Sequence, residues 1–216
     1  MQIRLLMHLL VILVSISFMI RQIAGLASSI KFLICLPYLI INFMDIYFLI
    51  KALKNKPRFI DRRISSIYIS SLVSIHPIFV ILFSPGLTPV DILRQTGTLL
   101  NFLVGLFIIW ALLSLKSNLT VLPEANSLVK TGPYKYIRHP LYFAYIILAI
   151  DEMMIYQTLP VSLLALLQFV LILIRAKREE SILYDAIPEY KEYYEQTMWF
   201  NVPSDKNRLI RLKKIN

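Results

Sequence analysis

The stretch LYFAYIILAIDEMMIYQTLPVSLLALLQFVLILI, Leu141 to Ile174, decides the fold. It holds two apolar runs, Leu141–Tyr156 and Pro160–Ile174, parted only by Gln157, Thr158 and Leu159. Each approaches the roughly 20 apolar residues that a helix needs to cross a bilayer core of about 30 Å. So short a break makes the pair a helical hairpin whose outer ends return to one another. Helices are the expected form, because in lipid each backbone polar group must be satisfied within its own segment.

Working outward, four more apolar segments precede the hairpin: about Leu5–Ile20, Phe32–Leu53, Ser66–Phe83 and Ile92–Leu115. With 57% hydrophobic residues, 17% charged residues and a mean hydropathy of +0.66, the chain reads as an all-α, multi-pass membrane bundle and not as a soluble domain. Six spans are expected. A five-span version, with the first segment lying in the interface, stays open. The first segment follows Arg4 and precedes small residues, as a signal peptide would, yet five apolar segments behind it favour a retained helix.

The net charge of +10 is read through its placement, and it implies no nucleic-acid partner. The loop KALKNKPRFIDRR and the linker from Lys116 to Arg138 are both basic, whereas Ser84–Asp91 has no basic residue and Asp151-Glu152 is acidic. Lys and Arg gather in cytoplasmic loops, so both basic loops and both termini are expected in the cytoplasm. The membrane is the plasma membrane in a prokaryote or the endoplasmic reticulum in a eukaryote. Expected units are 1–115, a group of transmembrane helices; 116–203, a catalytic region containing the hairpin; and 204–216, a basic tail resting on anionic headgroups.

Polar residues within the spans are few. Asp45 is expected to play a structural part, with Lys51 in snorkelling reach, and His76-Pro77 to mark a bend. Asp151 and Glu152, late in the fifth span, are expected to face solvent at the far surface. The three histidines lie in separate segments and the one cysteine, Cys35, sits in an apolar run, so neither a metal nor an intrachain disulfide is expected.

The flanks of the hairpin carry the chemistry. Ahead of it stands GPYKYIRHPLY, Gly132–Tyr142, where Gly-Pro makes a turn and Pro140 suits the first position of a helix. Behind it stands an acid-rich segment from Arg175 to Pro203. If the last helix continues past Arg175, Glu179 falls one turn from Arg175 and forms an i,i+4 pair. Glu180 shares a face with Leu173, Ala176 and Leu183, so it points into packed structure with its charge less well answered. A cationic ligand would answer it. An ordinary cytoplasmic loop with snorkelling cations and a tyrosine belt accounts for the first cluster equally well by composition.

Gly-Pro-Tyr, Arg138-His139-Pro140-Leu141-Tyr142, the hairpin and Glu179-Glu180 together resemble the isoprenylcysteine carboxyl methyltransferases and phospholipid N-methyltransferases. The segment PEYKEYYEQT also looks like their C-terminal part, and the likeness runs from about Leu128 to Pro203. It implies an integral membrane enzyme that uses S-adenosylmethionine and acts on a lipophilic or prenylated acceptor. Ala144 stands where many members have Gly, Lys177 where the protein-prenyl members have Arg, and the segment after Glu180 is a residue short, which leaves the acceptor open. The implied cofactor set is Tyr134, Tyr136, Arg138, His139, Pro140, Tyr142, Glu179 and Glu180. Arg138 and His139 suit the cofactor carboxylate, Glu180 its ammonium or sulfonium end, and the tyrosines its adenine. Arg175 and Glu180 are the implied catalytic pair, with Arg175 placed to hold an acceptor carboxylate. Two other readings stand beside this one: an NADPH-dependent sterol-type reductase, and a non-catalytic scaffold or transporter.

Overall fold

The structure is a computed structural model that describes residues 2–24, 29–54, 59–61, 63–83 and 91–197. Helices occupy all six apolar segments: α1 (Gln2–Ala24), α2 (Ser29–Ala52), α3 (Ile64–Phe83), α4 (Ile92–Leu115), α5 (Pro140–Tyr156) and α6 (Leu159–Ala186). A short α7 (Tyr190–Gln196) follows. Helix α5 begins at Pro140, whose missing N–H costs nothing in a first turn. It ends where Gln157 turns left-handed at φ 50°. Helix α6 runs unbroken through Arg175 and the two glutamates, as its apolar phase suggested. Pro77 lies within α3 without ending it.

Helix α4 packs between α2 and α5, α6 packs on α5 and α3, and α1 closes the other side against α2 and α3. The outward faces are greasy. Leu99, Leu103, Leu106, Trp110 and Leu113 form an exposed stripe along α4, and Leu159, Leu163, Leu166, Val170 and Ile174 another along α6. Spacings of three and four residues keep each stripe on one helical face. Exposed apolar area of that extent suits hydrocarbon and not water. Helices α4 and α6 are long and apolar enough to cross a membrane, and α1 and α3 hold shorter apolar stretches.

The two basic loops meet at one end of the bundle. Phe59 and Ile60 pair antiparallel with Ala125 and Glu124, and the Asp61 N–H donates to the Pro123 carbonyl at 3.0 Å. The opposite end gathers Asp91 and Gln157, whose amide donates to the Asp91 carboxylate at 2.8 and 3.1 Å. The linker after α4 is more than a loop. Leu119, Val121 and Leu122 belong to the buried core, so the chain dips into the bundle before climbing out to Gly132. Gly132 has φ +60°, and a Cβ there would meet the Ser114 hydroxyl oxygen at 2.0 Å, so this close turn demands glycine.

Candidate active site

Arg138 and His139 sit at the mouth of α5, and the hairpin brings Glu180 of α6 against both. Arg138 Nε donates to Glu180 Oε1 at 2.8 Å, and His139 Nε2 lies 3.3 Å from the same oxygen. All three residues are buried. Arg138 Nη1 reaches on into the segment after α6, donating to the carbonyls of Tyr194 (3.0 Å) and Thr197 (2.5 Å). Its guanidinium also lies over the Tyr194 ring, 4.1 Å from the centroid. One arginine thus ties α5, α6 and α7 together. Burying it is tolerable because charge and donors are answered at once.

Helix α7 closes over this clasp as an aromatic strap. Tyr190 and Tyr193 pack with Ile182 and Ile187, and the Tyr193 hydroxyl donates to the Tyr134 carbonyl at 2.6 Å. Burial pushes the Tyr193 phenol up to about 12, so it stays a donor at neutral pH. In sequence, PEYKEYYEQT gives these tyrosines no part. Their spacing reads as a wet surface until Arg138 supplies something to cover.

The structure redistributes the acids. Glu180 was expected to be poorly answered, and its charge is instead met by Arg138 and His139. Glu179 was expected to pair with Arg175 and instead accepts a short hydrogen bond from the Tyr142 hydroxyl. Arg175 turns away from Glu179 because the buried linker offers it backbone acceptors: Nη2 donates to the carbonyls of Val121 (2.7 Å) and Thr120 (3.3 Å). The cation also lies 5.4 Å from the centre of the Tyr142 ring. Tyr142 in turn stacks on His139 at 5.3 Å.

A cavity of about 910 Å³ opens beneath this group and runs the depth of the bundle. Tyr134, Arg138, His139, Tyr142, Arg175 and Glu179 line one end. Its walls are largely apolar, with Ile41, Leu49, Val73, Ile108 and Leu148 among them. Of the expected site residues, Tyr136 is exposed and Pro140 caps the helix start, and neither lines the cavity. Glu180 lies behind its wall as part of the clasp.

The other end holds the polar residues of the spans, and here two expectations are corrected. Asp151 and Glu152 do not face solvent: Asp151 is 0% exposed, bonded through Oδ2 to the Asn101 amide, and Glu152 Oε2 lies 3.7 Å from His76 Nε2. The helix turns both acids inward because the solvent-facing break comes a turn later, at Gln157. Asp45 lines the same cavity, and Lys51 sits 4.5 Å over the Tyr47 ring rather than beside it.

Residues 97–185 match the model of the Isoprenylcysteine carboxyl methyltransferase (ICMT) family. That segment is similar to the ICMT family. The family is one of methyltransferases, which supports enzymatic status for this region of the chain. The ICMT match begins at Gly97, inside α4, and takes in the buried linker, the Arg138-His139 motif, the hairpin and both glutamates. The resemblance in sequence had started only near Leu128, because α4 carries no side-chain signature. The tyrosine strap follows the matched segment. No curated protein matches the chain. Among the described residues no group of His, Cys, Asp and Glu could hold a metal ion.

Proposed function

We propose that the chain is a multi-pass membrane methyltransferase that takes its methyl group from S-adenosylmethionine and transfers it to a lipophilic acceptor admitted from the bilayer. What carries the reading is one juxtaposition. The buried Arg138–His139–Glu180 clasp, roofed by tyrosines, opens onto an apolar cavity whose near wall holds Arg175 and Glu179.

The residues fit the cofactor. Arg138 Nη2 is buried with no hydrogen-bond partner among the described residues, although Nε and Nη1 are fully engaged. The Tyr190 hydroxyl is buried in the same condition. A buried donor left unmade costs about 1–3 kcal/mol, and a ligand carboxylate would satisfy both. His139, Tyr142 and Tyr194 present ring faces suited to a planar base or a sulfonium. Bound there, adenosylmethionine supplies a methyl group already activated by its sulfonium.

The protein's task is then alignment and dryness. Arg175 keeps Nε unpartnered at the cavity wall, a donor for an acceptor carboxylate, while its other arm is fixed to the linker. Glu179, held by Tyr142, is the acid placed to accept a proton from an amine or thiol acceptor. Residues 116–203 form the catalytic region and 1–115 the helices that wall the cavity, with the basic loops on the cytoplasmic side. The end of the catalytic region, 198–203, and the tail 204–216 lie outside the described residues.

Purified protein in detergent should bind S-adenosylhomocysteine saturably and ignore NADPH. Binding of NADPH in its place would move the protein to the reductase reading, and binding of neither would remove the cofactor assignment.

A further inference from the structure

The far end of the cavity contains a second constellation that methyl transfer does not use. Asp151 stands twelve positions after His139 along α5, which at about 1.5 Å each puts the two ends roughly 18 Å apart. Four of the polar groups at this end are short of donors. Asp151 Oδ1, Glu152 Oε2 and Gln168 Oε1 are buried oxygens with no hydrogen-bond partner among the described residues. His76 Nε2 is buried in the same state, and the ring bonds to the Leu164 backbone through its other nitrogen. In a neutral imidazole so tied, Nε2 presents a lone pair. All four side chains line the cavity, and Asp151, His76 and Gln168 are more than nine-tenths buried.

The four belong to one neighbourhood. His76 of α3 approaches Glu152 of α5 at 3.7 Å, and Leu164, the partner of His76, stands one α6 turn before Gln168. Asn101 of α4 donates to Asp151 Oδ2 and leaves Oδ1 without a partner among the described residues. Gly97 lets α4 approach α5 closely here: a Cβ there would come within 3.1 Å of Asp151 Oδ1. Four acceptors, two of them carboxylates, converge on a space that opens onto an apolar tube. Their common need is a small cation that donates several hydrogen bonds. A hydroxyl offers one donor and no charge, and a trimethylammonium offers charge and no donor. A primary ammonium offers three donors with its charge.

We propose that this end of the cavity is a binding site for a primary ammonium group carried on a hydrocarbon chain, with the chain lying along the apolar wall toward α5's first turn. The ammonium could be that of a free long-chain amine or of an ethanolamine headgroup, whose phosphate would meet Arg94 at the same end.

The test uses the full chain in a neutral detergent and isothermal titration with probes of equal chain length. Decylammonium should bind at least tenfold more tightly than decanol and decyltrimethylammonium. Asp151→Asn and Glu152→Gln should each weaken decylammonium at least tenfold, and Gln168→Leu severalfold. Titration of S-adenosylhomocysteine into the same variants should be unchanged, which separates this site from the methyltransferase reading. Dihexanoyl phosphatidylethanolamine forms the second arm: tighter binding than decylammonium assigns the headgroup, weaker binding assigns the free amine. Equal binding of amine and alcohol by the unaltered protein would overturn the proposal without need of any variant. So would decylammonium binding that survives both acid substitutions.

Discussion

The adjacent glutamates show how one helical step divides structure from chemistry. Glu180 is 7% exposed and clamped by two cations, while Glu179 reaches the cavity and is held by a single phenol. Glu180→Gln keeps an oxygen but removes the charge, so it should cost stability by about 1.5–3 kcal/mol, the worth of hydrogen bonds to a charged group. Thermal unfolding in detergent would show the loss. Glu179→Gln should leave the unfolding temperature in place and slow methyl transfer to the acceptor. An equal loss of stability in both variants would show that Glu179 is as structural as its neighbour. The burial phase of these two residues was readable from the sequence, since Glu180 shares its face with Ala176 and Leu183. Their partners were not. Arg138 stands 42 positions before Glu180, and no local periodicity reports a contact of that range.

At the scale of the element, the strap is held by few bonds and should open before the bundle does. Tyr193→Phe removes the 2.6 Å bond to the Tyr134 carbonyl and little else. It should weaken docking of the strap by about 0.5–1.5 kcal/mol, the net worth of one hydrogen bond. Hydrogen exchange should rise across residues 190–197 while the exchange of α5 and α6 stays as it was. Uniform protection in the variant would mean that α7 is held by its aromatic packing and the Arg138 bonds without help from the Tyr193 hydroxyl. The loop between α2 and α3 carries a second device. Burial alone would raise the Asp61 carboxyl, but hydrogen bonds from the Arg63 side chain, the Ser66 hydroxyl and the Arg63 N–H outweigh it and hold it below its ordinary range. A carboxylate lowered by folding contributes stability above its unfolded pKa of about 3.9 and loses it as pH falls through the depressed folded value. An Asp61→Asn variant should therefore differ from the parent in unfolding temperature at pH 7 and converge with it under strong acid. A constant difference across that range would show that Asp61 does not titrate with folding.

For the whole molecule, the six helices were legible because apolar length is a property of composition, and the helices fell on the segments that composition marked. The cavity was not, since a void is made by what several helices leave unfilled, and residues such as Asp151 and His76 carry no mark of facing it. The same holds for the linker, whose charged ends, Lys116 and Lys130–Arg138, masked its buried middle. The up-and-down course has a direct check. With Cys35 changed to serine, a single cysteine at Ser127, beside the meeting point of the basic loops, should react with an impermeant maleimide from the cytoplasmic face. One at Gln157, beside Asp91, should react only from the other face. Reaction of both from one face would break the alternation on which the membrane reading rests.

The reach of Arg138 sets an order on how the protein can be made. Its ion-pair partner Glu180 leaves the ribosome 42 residues later and its carbonyl partner Tyr194 follows 56 residues later. Thr197, its other carbonyl partner, comes 59 residues after it, so at synthesis rates of about 5–20 residues per second roughly 3–12 seconds pass between the arginine and the last of its ligands. Through that interval the guanidinium cannot settle into the bundle without an uncompensated charge, so it must wait at the aqueous boundary while the hairpin inserts. The Arg138 clasp is accordingly the last part of the molecule to mature. A chain interrupted within the strap would leave a complete set of membrane helices whose first turn of α5 still faces water, a state that quality control could recognise by its unclasped arginine.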